Sequence, residues 1–272
     1  MTMNRLLKLT ALCVLAPFTV MVAAIAQPSD AAAPSRNKSF KAGEHLTYHI
    51  YYNMGFVWIN AGNVNFNIKN ENLLGHKTFH ITSDGKTAKN YEWFFKVDDK
   101  YETFLDRETL LPVKFLRNVH EGSIKIKHDV SFYHPFGYAI SDTTKFPIQK
   151  YTQDILSAIY FARTINYDKY SPGDKIPFSL FLDNTLYGVY IKYLGKEEIT
   201  TKMGTFKAIK IAPLLIKGTI FKDGDKMEVW VSDDDNHVPL RVSSPIIVGS
   251  IKADLMGYDE LRNTFTSMVS EN

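Results

Sequence analysis

The sequence predicts an all-β fold: a large curved antiparallel sheet, or a partly open barrel or sandwich, of roughly a dozen strands with one short helix. Three observations favour this class. Apolar side chains recur at every second position through most of the chain, polar turn sequences separate these runs, and one segment alone has helical spacing. The 272 residues are 45% hydrophobic and 22% charged, which is typical of a globular protein rather than a disordered chain.

The chain begins with an export signal. Residues 1–26 combine a basic start, containing Arg5 and Lys8, with an apolar run and a small-residue ending, Ala24-Ile25-Ala26. This order is that of a secretory signal peptide cleaved after Ala26. An uncleaved membrane anchor is the alternative, because the apolar run approaches the ~18 residues that suggest a membrane span.

Cleavage would leave a short leader and one large domain. Residues 27–39 are small and polar and are predicted to be flexible, whereas residues 40–272 form a single all-β domain without a linker or a transmembrane span. Cys13 is the one cysteine, so the mature chain would have no disulfide. A large exported domain without disulfides indicates the periplasm of a Gram-negative bacterium.

The predicted strands follow from alternation of apolar and polar residues. The run Leu46, Tyr48, Ile50 and Tyr52 places four apolar side chains on one face, as expected for an antiparallel strand with one buried side. Further runs of this kind cover residues 64–68, 91–97, 124–132, 187–193, 238–242 and 251–255. Turns are predicted from Gly, Asn and Asp at residues 70–72, 83–86, 222–225 and 232–237.

One segment departs from this period. Residues 152–163 place Ile155, Ile159 and Ala162 at helical spacing, with Thr152 as the predicted cap and Asp154 in the first turn. We therefore expect one short helix packed against a sheet.

Composition and motifs exclude several function classes. Lys+Arg 32 against Asp+Glu 29 gives +3 without a basic block, so no nucleic-acid partner is predicted. No nucleophile elbow or phosphate-binding loop occurs, and we assign no catalytic residue and no cofactor. The pairs His45/His49 and His76/His80 lie in strands, where four residues span ~13 Å, so no metal site is predicted. The acidic run 233–235 lies between two strands and is interpreted as a hairpin turn rather than a calcium site.

The first hypothesis for function is a non-enzymatic binding or carrier-like module. A curved sheet has a concave face, and aromatic side chains at alternating positions would line a groove for an apolar or amphipathic ligand, such as a lipid, or for another envelope component. The same aromatics could instead fill the core. The candidate ligand contacts are Tyr48, Tyr52, Trp93, Tyr160, Arg163 and Trp230.

Two alternatives stay open. An envelope glycan-acting hydrolase would use paired carboxylates, with Glu44, Glu102 and Asp233 as candidates. Other glutamates near predicted strands are Glu92, Glu121 and Glu228. A structural assembly partner would instead expose an apolar patch or a sheet edge.

Several motifs, taken in order, resemble a known family. They include Gly43-Glu44, Ala61-Gly62, the run 98–106, Leu111-Pro112, Glu121-Gly122, Asp154 to Arg163, Gly204-Thr205-Phe206 and the run 229–234. This order resembles the domain-of-unknown-function family 3108 of exported bacterial envelope proteins. The resemblance implies an all-β exported protein and no agreed catalytic set. In such a fold we expect Arg163 to pair with Asp154 or Glu102.

Overall fold

The computed structural model describes residues 31–53, 57–93, 96–214, 227–245 and 249–271. The predicted signal peptide and the turn predicted at 222–225 lie outside these ranges. The described strands are β1 (His45–Asn53), β2 (Trp58–Leu73), β3 (His76–Thr87), β4 (Asp98–Asp106), β5 (Pro112–Glu121), β6 (Ile124–Tyr133), β7 (Tyr138–Ser141), β8 (Thr144–Pro147), β9 (Lys175–Leu182), β10 (Thr185–Thr201), β11 (Gly204–Pro213), β12 (Glu228–Ser232), β13 (Pro239–Pro245), β14 (Ser250–Asp259) and β15 (Met268–Glu271). Within the same ranges, one α-helix is present, α1 (Ile155–Arg163).

All these strands belong to one antiparallel sheet, which confirms the predicted fold class. The order is β8-β7-β6-β5-β4-β3-β2-β1-β14-β13-β12-β11-β10-β9, and β15 pairs with β11. Most neighbours are successive hairpins, but β1 pairs with β14 from His45↔Asp259 to Asn53↔Ser250. The sheet therefore consists of two meanders joined along the β1–β14 ladder.

The sheet curves until its two end regions approach each other. Phe181 of β9 contacts Phe132 of β6 and Phe146 of β8, with ring centroids 6.1 and 5.7 Å apart. Gln153, just before α1, forms an isolated parallel bridge with Leu180 of β9. Gln153 thus pairs with the edge strand β9 at Leu180, through hydrogen bonds to the backbone of Ser179 and Phe181.

Helix α1 lies between two hydrophobic clusters of the sheet. Leu156 and Tyr160 belong to the cluster built on β2 to β7, whereas Phe161 belongs to the cluster built on β9 to β12. This placement explains the helical period, because both sides of the helix bury apolar side chains. Within the described ranges, no helix has the length and hydropathy that crossing a membrane requires.

The helix is capped by Asp154 and not by Thr152. Asp154 accepts hydrogen bonds from the backbone N–H groups of Leu156 and Ser157, and Ser157 Oγ accepts from the Asp154 N–H, which completes a capping box. Thr152 donates its hydroxyl to Gln149 O instead. The predicted helix start was therefore two residues early.

Removing this cap should cost stability. We expect Asp154→Ala to lower the free energy of unfolding by about 1–2 kcal/mol, because two buried N–H groups lose their acceptor. Thr103 also loses its acceptor, since its hydroxyl donates to Asp154 Oδ2 at 2.6 Å. Urea titration measures the change, with Asp168→Ala as the control because Asp168 pairs with Lys196 at the surface. Equal losses in the two variants would contradict the assignment of the cap.

Three local predictions were wrong. The turn predicted at residues 70–72 lies inside β2, and the chain reverses at Leu74-Gly75 instead. The turn predicted at residues 83–86 lies inside β3, where Gly85 faces Val64 and Asp99 from the two adjacent strands. Of the strand predicted at 91–97, residues 94 and 95 lie outside the described ranges. Tyr91 ends a 3₁₀ turn, Lys89–Tyr91, Glu92 and Trp93 continue as a turn, and Val97 makes an isolated bridge. At residues 70–72 and 83–86, the pairing of adjacent long strands outweighs local turn propensity.

Candidate functional site

Three of the six predicted ligand contacts, Tyr48, Tyr160 and Arg163, meet in a buried cluster between β1 and α1. The guanidinium of Arg163 lies 5.2 Å from the ring centroid of Tyr160 and 5.5 Å from that of Phe40. Tyr48 lies close enough that both Arg163 and Glu44 affect its pKa, which burial raises. None of these side chains is exposed, so they do not line an open groove.

Arg163 is fully engaged inside this cluster. Its Nη1 and Nη2 donate to the two carboxylate oxygens of Glu44 at 2.5 and 2.8 Å, and it also donates to the carbonyls of Ser39 and Asn236. Both Arg163 and Glu44 are 1% exposed. The partner of Arg163 is therefore Glu44, and neither Asp154 nor Glu102 as expected from sequence. The pair joins α1, the start of the sheet and the 232–237 turn, which is a structural role.

The other three predicted contacts lie elsewhere. Tyr52 is buried at the end of β1. Trp230 is nearly buried, and its indole N–H donates to Glu197 at 2.6 Å while Lys210 lies over the ring. Trp93 is 83% exposed in the loop between β3 and β4.

An unpredicted polar cluster occupies the buried face of β4 and β5. Asp99 and Tyr101 alternate along β4 with side chains on one face, and Arg117 and Glu121 do the same on the paired strand β5. Asp183, in the β9–β10 turn, accepts a hydrogen bond from Arg117 Nη2. We call Asp99, Tyr101, Arg117, Glu121 and Asp183 the polar cluster. Its members other than Asp183 are at most 2% exposed.

The polar cluster contains a close pair of carboxyl groups. The carboxyl groups of Asp99 and Glu121 lie close enough to interact directly, and a hydrogen bond between them requires that one of the two holds a proton. Burial, with the nearby charge of Asp99, raises the pKa of Glu121 to about 9. Burial also raises the pKa of Asp99, although the His120 N–H, 2.9 Å from Asp99 Oδ1, opposes this. The pair therefore shares one proton at neutral pH.

The polar cluster is short of hydrogen-bond partners. Apart from the contact between Asp99 and Glu121, five buried atoms of the polar cluster have no hydrogen-bond partner. They are Asp99 Oδ2, Glu121 Oε1, Glu121 Oε2, Arg117 Nε and Asp183 Oδ2. Arg117 is otherwise engaged with Asp183 and with His128 Nδ1 at 3.1 Å. Burial and the charge of Arg117 lower the pKa of His128, so this ring is neutral and can accept. Such a concentration of unpartnered buried atoms is uncommon in a native interior.

The carboxylates proposed for hydrolysis do not pair with one another. Glu44 is bound to Arg163, Glu102 contacts His80 and Lys100, and Asp233 contacts Lys196. The carboxyl pair that does form, Asp99–Glu121, is in direct hydrogen-bond contact, whereas glycoside-cleaving pairs stand ~5–9 Å apart. In the described part of the chain, no three His, Cys, Asp or Glu side chains converge as a metal site would need.

One end of the sheet exposes apolar and aromatic side chains. The antiparallel order places the β1–β2, β3–β4 and β13–β14 connections at this end, next to the β5–β6 turn. Val57 (62% exposed), Trp58 (41%), Tyr91 (37%) and Trp93 (83%) lie there, and we call them the aromatic rim. Lys252 Nζ lies 4.8 Å from the Trp58 ring centroid. An aromatic patch with an adjacent cation is the kind of surface that marks an interaction site.

The aromatic rim and the polar cluster are adjacent along the chain. Val97 bridges to Glu121, and the Gly122 N–H donates to Lys96 O at 2.9 Å. Lys96 and Val97, three and four residues after Trp93 in the sequence, therefore lie beside the end of β5 that carries Glu121.

Sequence comparison agrees with the observed fold. A family model described as "Protein of unknown function (DUF3108)" matches residues 47–256. The chain belongs to this family. The prediction of the family is thereby confirmed. No curated protein matches the chain.

Three solved structures resemble this DUF3108 chain. A beta-barrel-like protein of the DUF1849 family from Brucella abortus has a TM-score of 0.55 and 9% identity, covering 79% of this chain and 96% of that one. A candidate lipoprotein from Parabacteroides distasonis has a TM-score of 0.36 and 9% identity, covering 85% and 100%. The Mycobacterium tuberculosis lipoprotein LppX has a TM-score of 0.22 and 14% identity, covering 79% and 86%. Of these, the Brucella protein alone scores above 0.5, and the likeness concerns the fold.

The alternation of residues along β5 contains a signal for the polar cluster. Period-two alternation places Arg117 and Glu121 on the same face as Phe115 and Val119, which is the core face of β5. Charged residues at two core-face positions of one strand are costly to bury and need partners. The sequence-based prediction included Glu121 only as one of several strand glutamates and missed Asp99, Arg117 and Asp183.

Proposed function

We propose that this protein is an exported envelope module that binds lipid through the aromatic rim. The observation that carries the proposal is the exposure of Trp58 and Trp93 at adjacent strand connections. Tryptophan and tyrosine are the side chains preferred where an apolar phase meets water, because each has an apolar ring and a polar N–H or O–H group. Export is supported by the sequence of residues 1–26 and by the family resemblance.

Charge near the rim fits a lipid head group. Lys86, Lys89 and Lys96 are exposed on the chain around the β3–β4 connection, and Lys252 lies against Trp58. Lysine amines beside interfacial aromatics attract phosphate groups.

The cavity that the described residues form beside α1 is too small for a lipid chain. A cavity beside the C-terminal end of α1, lined by Ala33, Phe161 and Tyr170 among others, has a volume of about 100 Å³. Small-molecule sites usually need ~300–1,000 Å³, so this cavity would not accept a lipid chain. The buried aromatic candidates Tyr48 and Tyr160 are likewise packed against other side chains.

Vesicle flotation tests the proposal. We expect the double variant Trp58→Ala/Trp93→Ala to bind phospholipid vesicles about tenfold more weakly than wild type, because the two largest interfacial side chains are lost. Phe136→Ala is the matched control, since Phe136 is 74% exposed at the β6–β7 turn, at the opposite end of the strands.

Intrinsic fluorescence gives a second measurement. Two of the three tryptophans, Trp58 and Trp93, belong to the rim, so vesicles with brominated acyl chains should quench most of the emission of wild-type protein. No vesicle binding by wild type, or equal losses in the rim and Phe136 variants, would refute the proposal.

A further inference from the structure

Among the described residues, no cationic side chain donates a hydrogen bond to the three free oxygens of the carboxyl pair, although the charge of Arg117 acts to lower the pKa of both groups. Glu121 Oε1, Glu121 Oε2 and Asp99 Oδ2 are three buried oxygens that meet no donor other than the pair itself. The nearest guanidinium, Arg117, donates to Asp183 and His128. The described residues of the polar cluster thus carry three carboxyl groups and one permanent positive charge. A cationic ligand would satisfy both the charge and the unpartnered oxygens.

The number of free oxygens indicates the kind of cation. A primary ammonium group has three N–H donors, which matches three acceptor oxygens. Calcium would need six to eight oxygen ligands, and the described residues offer no convergent set of that size. An anion would be repelled by the carboxyl pair.

We propose that the Asp99–Glu121 pair binds the primary ammonium group of an aminolipid head group. This inference rests on the proposed lipid binding at the aromatic rim, and it names the class of lipid. In the ligand's absence a shared proton holds the two carboxyl groups together, and the ammonium replaces that proton with three hydrogen bonds. The lipid phosphate would then lie towards the exposed Lys96, whose carbonyl accepts from the Gly122 N–H next to Glu121.

The position of the pair suits this role. Glu121 is the last residue of β5 and is bridged to Val97, four residues after Trp93. A lipid whose acyl region contacts the rim would therefore have its head group within reach of the end of β5.

Vesicles that differ only in the methylation of the amine provide the test. Phosphatidylethanolamine offers three N–H donors, whereas phosphatidylcholine offers none. We expect wild type to bind vesicles of phosphatidylcholine with added phosphatidylethanolamine about tenfold more tightly than pure phosphatidylcholine vesicles, which corresponds to 1.4 kcal/mol. Glu121→Gln and Asp99→Asn should each remove this preference while still binding phosphatidylcholine through the rim.

Glu102→Gln is the matched control, because Glu102 lies on the opposite face of β4 and contacts His80 and Lys100. It should keep the preference. Equal affinity of wild type for the two vesicle types, or a preference retained by both Glu121→Gln and Asp99→Asn, would overturn the inference and leave the proposed function standing.

A soluble probe separates the two proposals. Ethanolamine should raise the melting temperature of wild type more than choline does at equal ionic strength, and Glu121→Gln should abolish the difference. If wild type binds no vesicles but shows this difference, the proposed function fails and the ammonium site stands. If ethanolamine and choline have equal effects, the ammonium site is refuted.

Discussion

Replacing Arg163 by methionine is expected to lower the free energy of unfolding by about 3–5 kcal/mol. The substitution leaves the Glu44 carboxylate, which is 1% exposed, buried without its counter-ion. It also leaves the carbonyls of Ser39 and Asn236 without their donor. Because these groups join the start of the sheet, α1 and the 232–237 turn, the loss should appear in global unfolding.

A double-mutant cycle separates the charge from the packing. Glu44→Met/Arg163→Met should lose less stability than Arg163→Met alone, since no unpaired charge stays buried. Lys41→Met is the control, because its pair with Glu260 is exposed and should contribute less than ~1 kcal/mol. Guanidinium denaturation measures the four members of the cycle, which are wild type, Glu44→Met, Arg163→Met and the double variant, together with Lys41→Met. Losses that simply add in the double variant would show that the two side chains do not act as a pair.

Glu121→Gln is expected to stabilise the protein at neutral and alkaline pH. The pKa of Glu121 is raised from 4.5 to about 9. Below pH ~4.5 both the folded and the unfolded chain hold the proton, so wild type and variant should differ little. As pH rises towards 9, the unfolded chain releases its proton before the folded chain does, and wild type loses stability. Glutamine carries no such proton, so the variant should be about 2–3 kcal/mol more stable at pH 7.

Glu102 supplies a control, because its pKa is shifted in the opposite direction to that of Glu121. Burial alone would raise the pKa of Glu102, but hydrogen bonds from Lys100 and His80 outweigh it and lower the pKa. Its contribution to stability is present above its unfolded pKa and is lost as pH falls. Glu102→Gln should therefore be less stable than wild type at pH 7 and similar to it in acid. Chemical denaturation between pH 4 and 8 checks both variants, and a Glu121→Gln curve parallel to wild type would contradict the shared proton.

Period-two alternation predicted the sheet well, because long antiparallel strands with one buried face leave a strong signal. Leu46 to Tyr52, for example, is the buried face of β1, as predicted. The predictions failed at positions where contacts with other strands determine the local structure. Gly85 has turn chemistry but is held between β2 and β4. The run 91–97 alternates, yet Tyr91 belongs to a 3₁₀ turn and Val97 forms an isolated bridge to Glu121. The division into domains remains a prediction.

The candidate site was harder to predict because it depends on distant residues. Arg163 was singled out correctly as unusual, but Glu44 lies 119 residues away and no local pattern links the two. Asp99 and Glu121 belong to adjacent strands, so their contact follows from the register of β4 and β5 and not from either strand alone. The six candidate ligand contacts remain untested, and the structure brings three of them together as packing partners.

The β1–β14 ladder has a consequence for synthesis. Strands β1 to β8 can form from successive hairpins as the chain emerges, but the free edge of β1 has no partner until β14, about 200 residues later, is available. Until then a nine-residue edge rich in tyrosine, from His45 to Asn53, is open to pairing with other chains. A nascent or truncated chain that lacks β14 would present that edge and would need a holdase chaperone to stay monomeric.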